Sequence, residues 1–172
     1  MSLTMTMAEL YDQYYSVYPD KANLYRGDTE MPNHCHNRVT FYSANTDDVA
    51  KLKQIFEDEN TFGQIIPEPD WPNTPNKDGE LPVKHEDPWL TYRWSDGRQD
   101  DRWYDWRVQN WDTKWDCYDV VVTDDDPESV EIEFNTAWSP PEAICNELRE
   151  QYPDVSISWF YDEPGCELAG YL

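Results

Sequence analysis

Positive charge is what this sequence has least of. Thirteen Lys and Arg stand against 36 Asp and Glu, a formal net charge of −23 over 172 residues. A chain this acidic repels phosphates and anionic lipid, so nucleic acid and membrane surfaces are poor direct partners and a basic protein surface is a good one. Long apolar runs are missing as well; none approaches the roughly 18 residues of a membrane helix. The N-terminus has no apolar signal core, from which a cytoplasmic protein is expected. The four cysteines, Cys35, Cys117, Cys145 and Cys166, show no CxxC spacing. Reduced thiols are therefore expected rather than a disulfide framework. No GxSxG elbow, Walker loop or HExxH pair occurs, and with them go the common signatures of serine hydrolases, nucleoside triphosphatases and zinc peptidases.

Aromatic rings are abundant instead. Hydrophobic residues make up only 38% of the chain, but aromatics reach 15%, and large rings supply core area that aliphatics do not. The clearest stretch runs from Val130 to Gly165. Val130, Ile132 and Phe134 alternate with Glu131, Glu133 and Asn135, the period of a half-buried strand. Ser139-Pro140-Pro141-Glu142 then predicts a helix start, with Ser139 as cap, Pro140 in the first turn and Glu142 completing a capping box. Ile144, Leu148 and Tyr152 form one apolar stripe. Val155, Ile157 and Trp159 alternate in a last strand, after which Ala169 to Leu172 reads as a tail.

Earlier in the chain, Asn37–Ser43 reads as a strand with Val39 and Phe41 on one side. Asn45-Thr46-Asp47-Asp48 opens a helix whose apolar face is Val49, Leu52, Ile55 and Phe56. Residues 116–123 predict a further strand, and Asp124 to Glu128 an acidic turn before the strand at Val130. Residues 1–30 are taken as an extension comprising a short leader and a possible helix over Ala8–Tyr18, and 31–172 as the domain proper.

Residues 62–115 form an insertion. Its first part, to Asp101, holds six of the thirteen prolines and reads as loop with short extended pieces. Seven of the nine tryptophans lie between Trp71 and Trp115, so the segment is expected to be pinned by its rings. Arg93, Arg98, Arg102, Arg107 and Lys114 are expected to stack on those rings or pair with acids.

The order strand, helix, insertion, strand, strand, helix, strand predicts an α+β, ferredoxin-like β-α-β-β-α-β sandwich: two helices on one face of a four-stranded antiparallel sheet. Five stretches carry a resemblance to a known family: MPNHCHNRVTFYS (31–43), FGQIIPEP (62–69), NWDTKWDCYDV (110–120), FNTAWSPP (134–141) and YDEPG (161–165). They resemble the YubB-like proteins of phages and plasmids. That resemblance implies a ferredoxin-like domain and a cytoplasmic protein of a mobile element. It implies no activity and no catalytic residues.

Three constellations compete for function. His34-Cys35-His36 contains metal-ligand types, but zinc needs about four ligands, and His85, Cys117 or Cys166 would have to be brought in. An ordinary strand entrance with a buried thiol is the reading adopted, so no metal and no cofactor are expected. Close carboxylates, Asp162 with Glu163 and Asp116 with Asp119, arise readily among 36 acids, and no catalytic residue is assigned. Trp103, Trp106, Trp111 and Trp115 are either a packed satellite core, the favoured reading, or the walls of a small-ligand or nucleotide site. Charge asymmetry is the sharpest clue: residues 116–172 carry 15 acids and one base, Arg149. The expectation is a non-enzymatic acidic protein that docks on a basic, DNA-binding surface of another protein, as a DNA mimic does. The binding residues assigned are Asp124, Asp125, Asp126, Glu128, Glu131 and Glu133.

Overall fold

The computed structural model describes residues 33–84 and 92–172, and Asn33–Leu172 forms one compact unit. The helix expected over Ala8–Tyr18, His85 and Trp89 lie outside the described residues.

The first element is strand β1, His34–Tyr42, followed by helix α1, Thr46–Glu57, and a single helical turn α2, Thr61–Ile65. The insertion continues with a 3-10 turn at Trp71–Asn73, a two-strand ribbon β2 (Val83–Lys84) and β3 (Tyr92–Arg93), and helix α3, Arg102–Asn110. Then come β4, Tyr118–Asp126, β5, Ser129–Ala137, helix α4, Glu142–Gln151, β6, Ser156–Glu163, and β7, Leu168–Tyr171.

The main sheet runs β4-β5-β1-β6-β7, and every pair in it is antiparallel. The first four strands give the ferredoxin-like arrangement. The fifth corrects the expected four-stranded sheet: Leu168–Tyr171, which takes in most of the Ala169 to Leu172 stretch read as a tail, pairs along the outer edge of β6. Four residues without alternation give no strand signal of their own; the open N–H and C=O row of β6 supplies the template.

Strand β1 alternates strictly. Cys35, Asn37, Val39 and Phe41 are buried, while His34, His36, Arg38 and Tyr42 are exposed. Its inner residues pack with Val130, Ile132 and Phe134 of β5 and Trp159 of β6, under Val49, Leu52 and Phe56 of α1 and Ile144 and Leu148 of α4. The core is ring-rich as composition suggested: Phe56 meets Phe41, Phe134 and Trp159 at centroid distances of 5.7, 5.3 and 6.4 Å. A polar residue sits inside it. Asn37 donates to the Cys35 carbonyl (3.0 Å) and the Thr136 hydroxyl (2.9 Å) and accepts from the Trp159 indole (3.1 Å), so its burial leaves no amide atom without a partner.

The start of α4 differs from its sequence reading. The helix begins at Glu142 after Pro141, and no side chain at its own N-terminus caps it. The Asp112 carboxylate, 31 residues earlier, accepts from the Ala143 N–H at 2.8 Å, while Ser139 donates its hydroxyl to the Asp112 carbonyl. The cap is thus tertiary, supplied by the end of the insertion. In contrast, α1 is capped as expected, with the Asn45 side chain accepting from the Asp47 N–H.

The insertion is more regular than its prolines suggest. Helix α3 was missed; Trp103, Trp106 and Asn110 recur at helical spacing and were the available signal. Arg102 lies over the rings of Trp71 and Trp94 and pairs with Asp100 at 2.8 Å. Arg107 lies over Trp103 and Trp111 and pairs with Glu68. Lys114 lies among Tyr104, Trp115 and Trp138. These stacks fasten the insertion, in the manner expected of its cations.

Candidate functional site

The face of the sheet away from α1 and α4 carries the polar side chains. Strand β1 presents His34, His36, Arg38 and Thr40 there, and β5 presents Glu131, Glu133 and Asn135. Two irregularities in β4 decide which of its acids join them. The register shifts between Tyr118 and Val121 and again between Val122 and Asp124. Asp119, at the first shift, adopts a left-handed φ of 55°, which aspartate tolerates better than most residues. After the second shift Asp124 stands opposite Glu131 and Asp126 opposite Ser129, on the outward face.

Asp125 falls on the other side and is bound to Lys53 of α1 at 2.6 Å. That contact raises the Lys53 ammonium above its ordinary range. The assigned acidic patch therefore divides. Asp124, Asp126, Glu131 and Glu133 share the outward face, Glu128 sits in the turn with Pro127, and Asp125 is drawn to the helix side. The turn itself is shorter than expected, because β4 runs through Asp126. Glu131 is held in place by hydroxyls, accepting from Thr123 at 2.9 Å and Thr40 at 3.4 Å. The insertion's Arg98, Arg102 and Arg107 form their ion pairs with Asp96, Asp100 and Glu68, within the insertion.

The centre of this face is hollowed into a groove of about 380 Å³. Its floor is His36 and Arg38 of β1 with Glu133 and Asn135 of β5; Asp119 and Val121 form one wall, Phe160 and Asp162 the other. A relay fixes the floor. Asn135 Nδ2 donates to Asp119 Oδ2 at 3.1 Å, and His36 Nδ1 meets Asn135 Oδ1 at 2.6 Å. The first bond orients the amide, so the second requires hydrogen on His36 Nδ1 and leaves Nε2 of the neutral ring an acceptor. Arg38 stands opposite Glu133 in register, yet its guanidinium lies over the Phe160 ring, 5.6 Å from the centroid. Sequence reasoning missed this groove; only cross-strand register brings residues 36, 119, 133 and 162 together.

The other candidates are placed as follows. His34 and His36 do share a face, but His34 is bound to the Tyr118 hydroxyl at 2.7 Å and Cys35 points into the core. Among the described residues no group of three or more His, Cys, Asp or Glu is arranged to hold a metal ion. Asp162 faces the groove while its neighbour Glu163 is buried, and Asp116 turns inward to the Phe62 N–H while Asp119 is exposed, so the members of each set of neighbouring acids lie in different environments. All four cysteines are free. Burial pushes the thiols of Cys35 and Cys117 up to about 11 and about 12, which keeps them protonated and poor nucleophiles.

Among the described residues the four tryptophans are divided between two groups of stacked side chains. Trp111 is wholly buried, donates to the Ile66 carbonyl at 3.0 Å, and packs edge-on to Phe62 and Trp106. Trp103 lies across Arg107 from it, and Trp115 belongs to the separate stack around Lys114.

Residues 110–172 match the family model described as a ferredoxin-like domain in Api92-like protein. Among solved structures the chain is similar to protein api92 from Yersinia pseudotuberculosis, with 11% identity, a TM-score of 0.47, and coverage of 81% of this chain and 93% of that one. No curated protein matches. The name YubB-like does not occur in these matches, but the fold that the resemblance implied does. No helix of the described residues is long and apolar enough to cross a membrane. The segment from the end of α3 to the C-terminus is thus similar to the ferredoxin-like domain of Api92-like proteins, and the fold is ferredoxin-like.

Proposed function

We propose that this chain is a binding protein whose outward sheet face and β4–β5 hairpin dock on a basic protein surface. The observation that carries the reading is the division of charge. Residues 118–137 contain seven acids and no Lys or Arg, and the insertion's paired arginines are engaged with their own acids. The hairpin strands are nine residues each, about 30 Å long at roughly 3.3 Å per residue. Without Asp125, which is bound to Lys53 on the helix side, six carboxylates over that length are one per about 5 Å, of the order of the phosphate spacing of about 3.4 Å along one DNA strand. A surface of that charge density suits a site built for nucleic acid. The resemblance to phage and plasmid proteins gives it a setting, that of a counter-defence factor occupying a host protein's DNA-binding site.

The structure also retains a local cost consistent with this role. Asp124 and Glu131 face each other directly, and like charges so placed destabilise a ladder. Replacing Asp124 with Asn is expected to raise stability by roughly 0.2–1 kcal/mol in urea denaturation and to weaken partner binding. A variant that gains stability and keeps full binding would remove Asp124 from the interface. The decisive experiment is capture of lysate proteins on the full chain, with and without duplex DNA as competitor. The expected partner is basic, is displaced by DNA, and is lost as salt rises from about 50 to about 200 mM. Binding indifferent to salt and DNA would sink the reading.

A further inference from the structure

We propose that the groove on the outward sheet face is a receptor for a single arginine side chain of the partner. The inference rests on the docking reading for where that arginine comes from, but the groove's own chemistry selects the guanidinium.

The groove carries more negative than positive charge: three carboxylates line it against one guanidinium. Asp119, Glu133 and Asp162 are acceptors only when ionised. In the neutral ring the relay through Asn135 leaves His36 Nε2 an acceptor, and it engages one hydrogen of Asn135 Nδ2 with Asp119. The Arg38 guanidinium lies over Phe160 and makes no ion pair among the described residues, so Glu133 keeps its carboxylate without a cationic partner there. Three carboxylates against one guanidinium leave the walls net negative, and a ligand that satisfies them has to be cationic and rich in N–H groups.

Geometry separates arginine from lysine. Glu133 stands on β5 level with Arg38 and Asp162 on β6 level with His36, one on each side of β1, so their backbones are two strands and two residues apart, roughly 12 Å. A planar guanidinium spreads its forked donors toward acceptors on both sides at once, whereas an ammonium gathers its three donors on one nitrogen and spans a shorter distance between acceptors. The apolar wall at Val121 and the Phe160 edge suit the alkyl stem of such a side chain. The volume falls at the small end of ligand sites, right for one side chain and too small for a polypeptide segment.

The test titrates the isotope-labelled full chain with N-acetyl-arginine amide and follows backbone amide shifts by NMR. Saturable shifts are expected at His36, Arg38, Asn135 and Phe160. Glu133→Gln and Asp162→Asn should each weaken the response about tenfold, and N-acetyl-lysine amide should bind about tenfold more weakly than the arginine compound. The Glu150→Gln, Asp154→Asn double variant, at exposed positions of α4 and the turn after it on the opposite side of the sheet, should leave the response unchanged. If a carboxylate variant fails to fold, Phe160→Leu replaces it and is expected to weaken binding. Shifts spread over acids throughout the molecule, no saturation, or equal binding of the lysine compound would each overturn the proposal. Failure of lysate capture with an intact arginine response would discard the docking surface and keep the groove; an intact, salt-sensitive capture with no arginine response would do the reverse.

Discussion

Asp116 shows how one residue ties the insertion to the sheet. Its Oδ1 accepts from the Phe62 N–H at 3.0 Å and from the Cys117 N–H at 2.8 Å, joining the start of α2 to the entrance of β4. Burial pushes its carboxyl above the ordinary aspartate range, against the opposing pull of those N–H groups and Arg107. Between its ordinary and its raised value the folded protein therefore holds a proton that the unfolded chain has released. The stabilisation from this group is present at acid pH and is lost as pH rises from about 3.9 through the raised value. Asparagine keeps an oxygen for both N–H groups and carries no charge. Asp116→Asn is thus expected to match or exceed wild-type stability at pH 7 and to flatten the pH dependence over that window. Asp116→Ala, which leaves both N–H groups without a partner, should cost about 1–3 kcal/mol. Urea denaturation of both variants at several pH values checks this; an Asn variant as unstable as the Ala variant would refute it.

At the scale of elements, α4 depends on a partner that no local rule identifies. Asp112 adopts a left-handed φ of 62° and points its carboxylate at the helix N-terminus, where negative charge and an acceptor are both favourable. Asp112→Asn retains the acceptor and the tolerance for that φ; Asp112→Ala loses both and is expected to cost about 1–2 kcal/mol. Thermal unfolding of the two variants distinguishes them, and equal losses would show that the cap is not the cause. The sheet elements tell a complementary story. The inward alternation of β1 and β5 was legible because it repeats every two residues, but the shifts in β4 were not. They decide that Asp124 faces outward while Asp125 turns to Lys53, and no composition argument separates two neighbouring aspartates.

For the whole molecule, charge acts in two opposed ways. A net charge of −23 repels itself in the compact state, and salt screens that repulsion over about 10 Å at 0.1 M. Added salt is therefore expected to raise the melting temperature of the free protein while weakening its complex with a basic partner. Calorimetry on the free chain and binding measured across the same salt series check the two signs. A melting temperature that falls with salt would mean that attractive pairs such as Lys53–Asp125 outweigh the repulsion.

The sequence by itself determined the order of the sheet-forming strands and the two long helices, the ring-rich core and the sign of the surface. These follow from periods of two and near four residues and from a count of charges, all of them properties of neighbouring positions. Tertiary structure alone decided the fifth strand, the distant cap on α4, the burial of Asn37 and the groove that gathers residues 36, 119, 133 and 162. Each depends on which strands lie side by side and in what register, and register is set by packing between segments far apart in the chain.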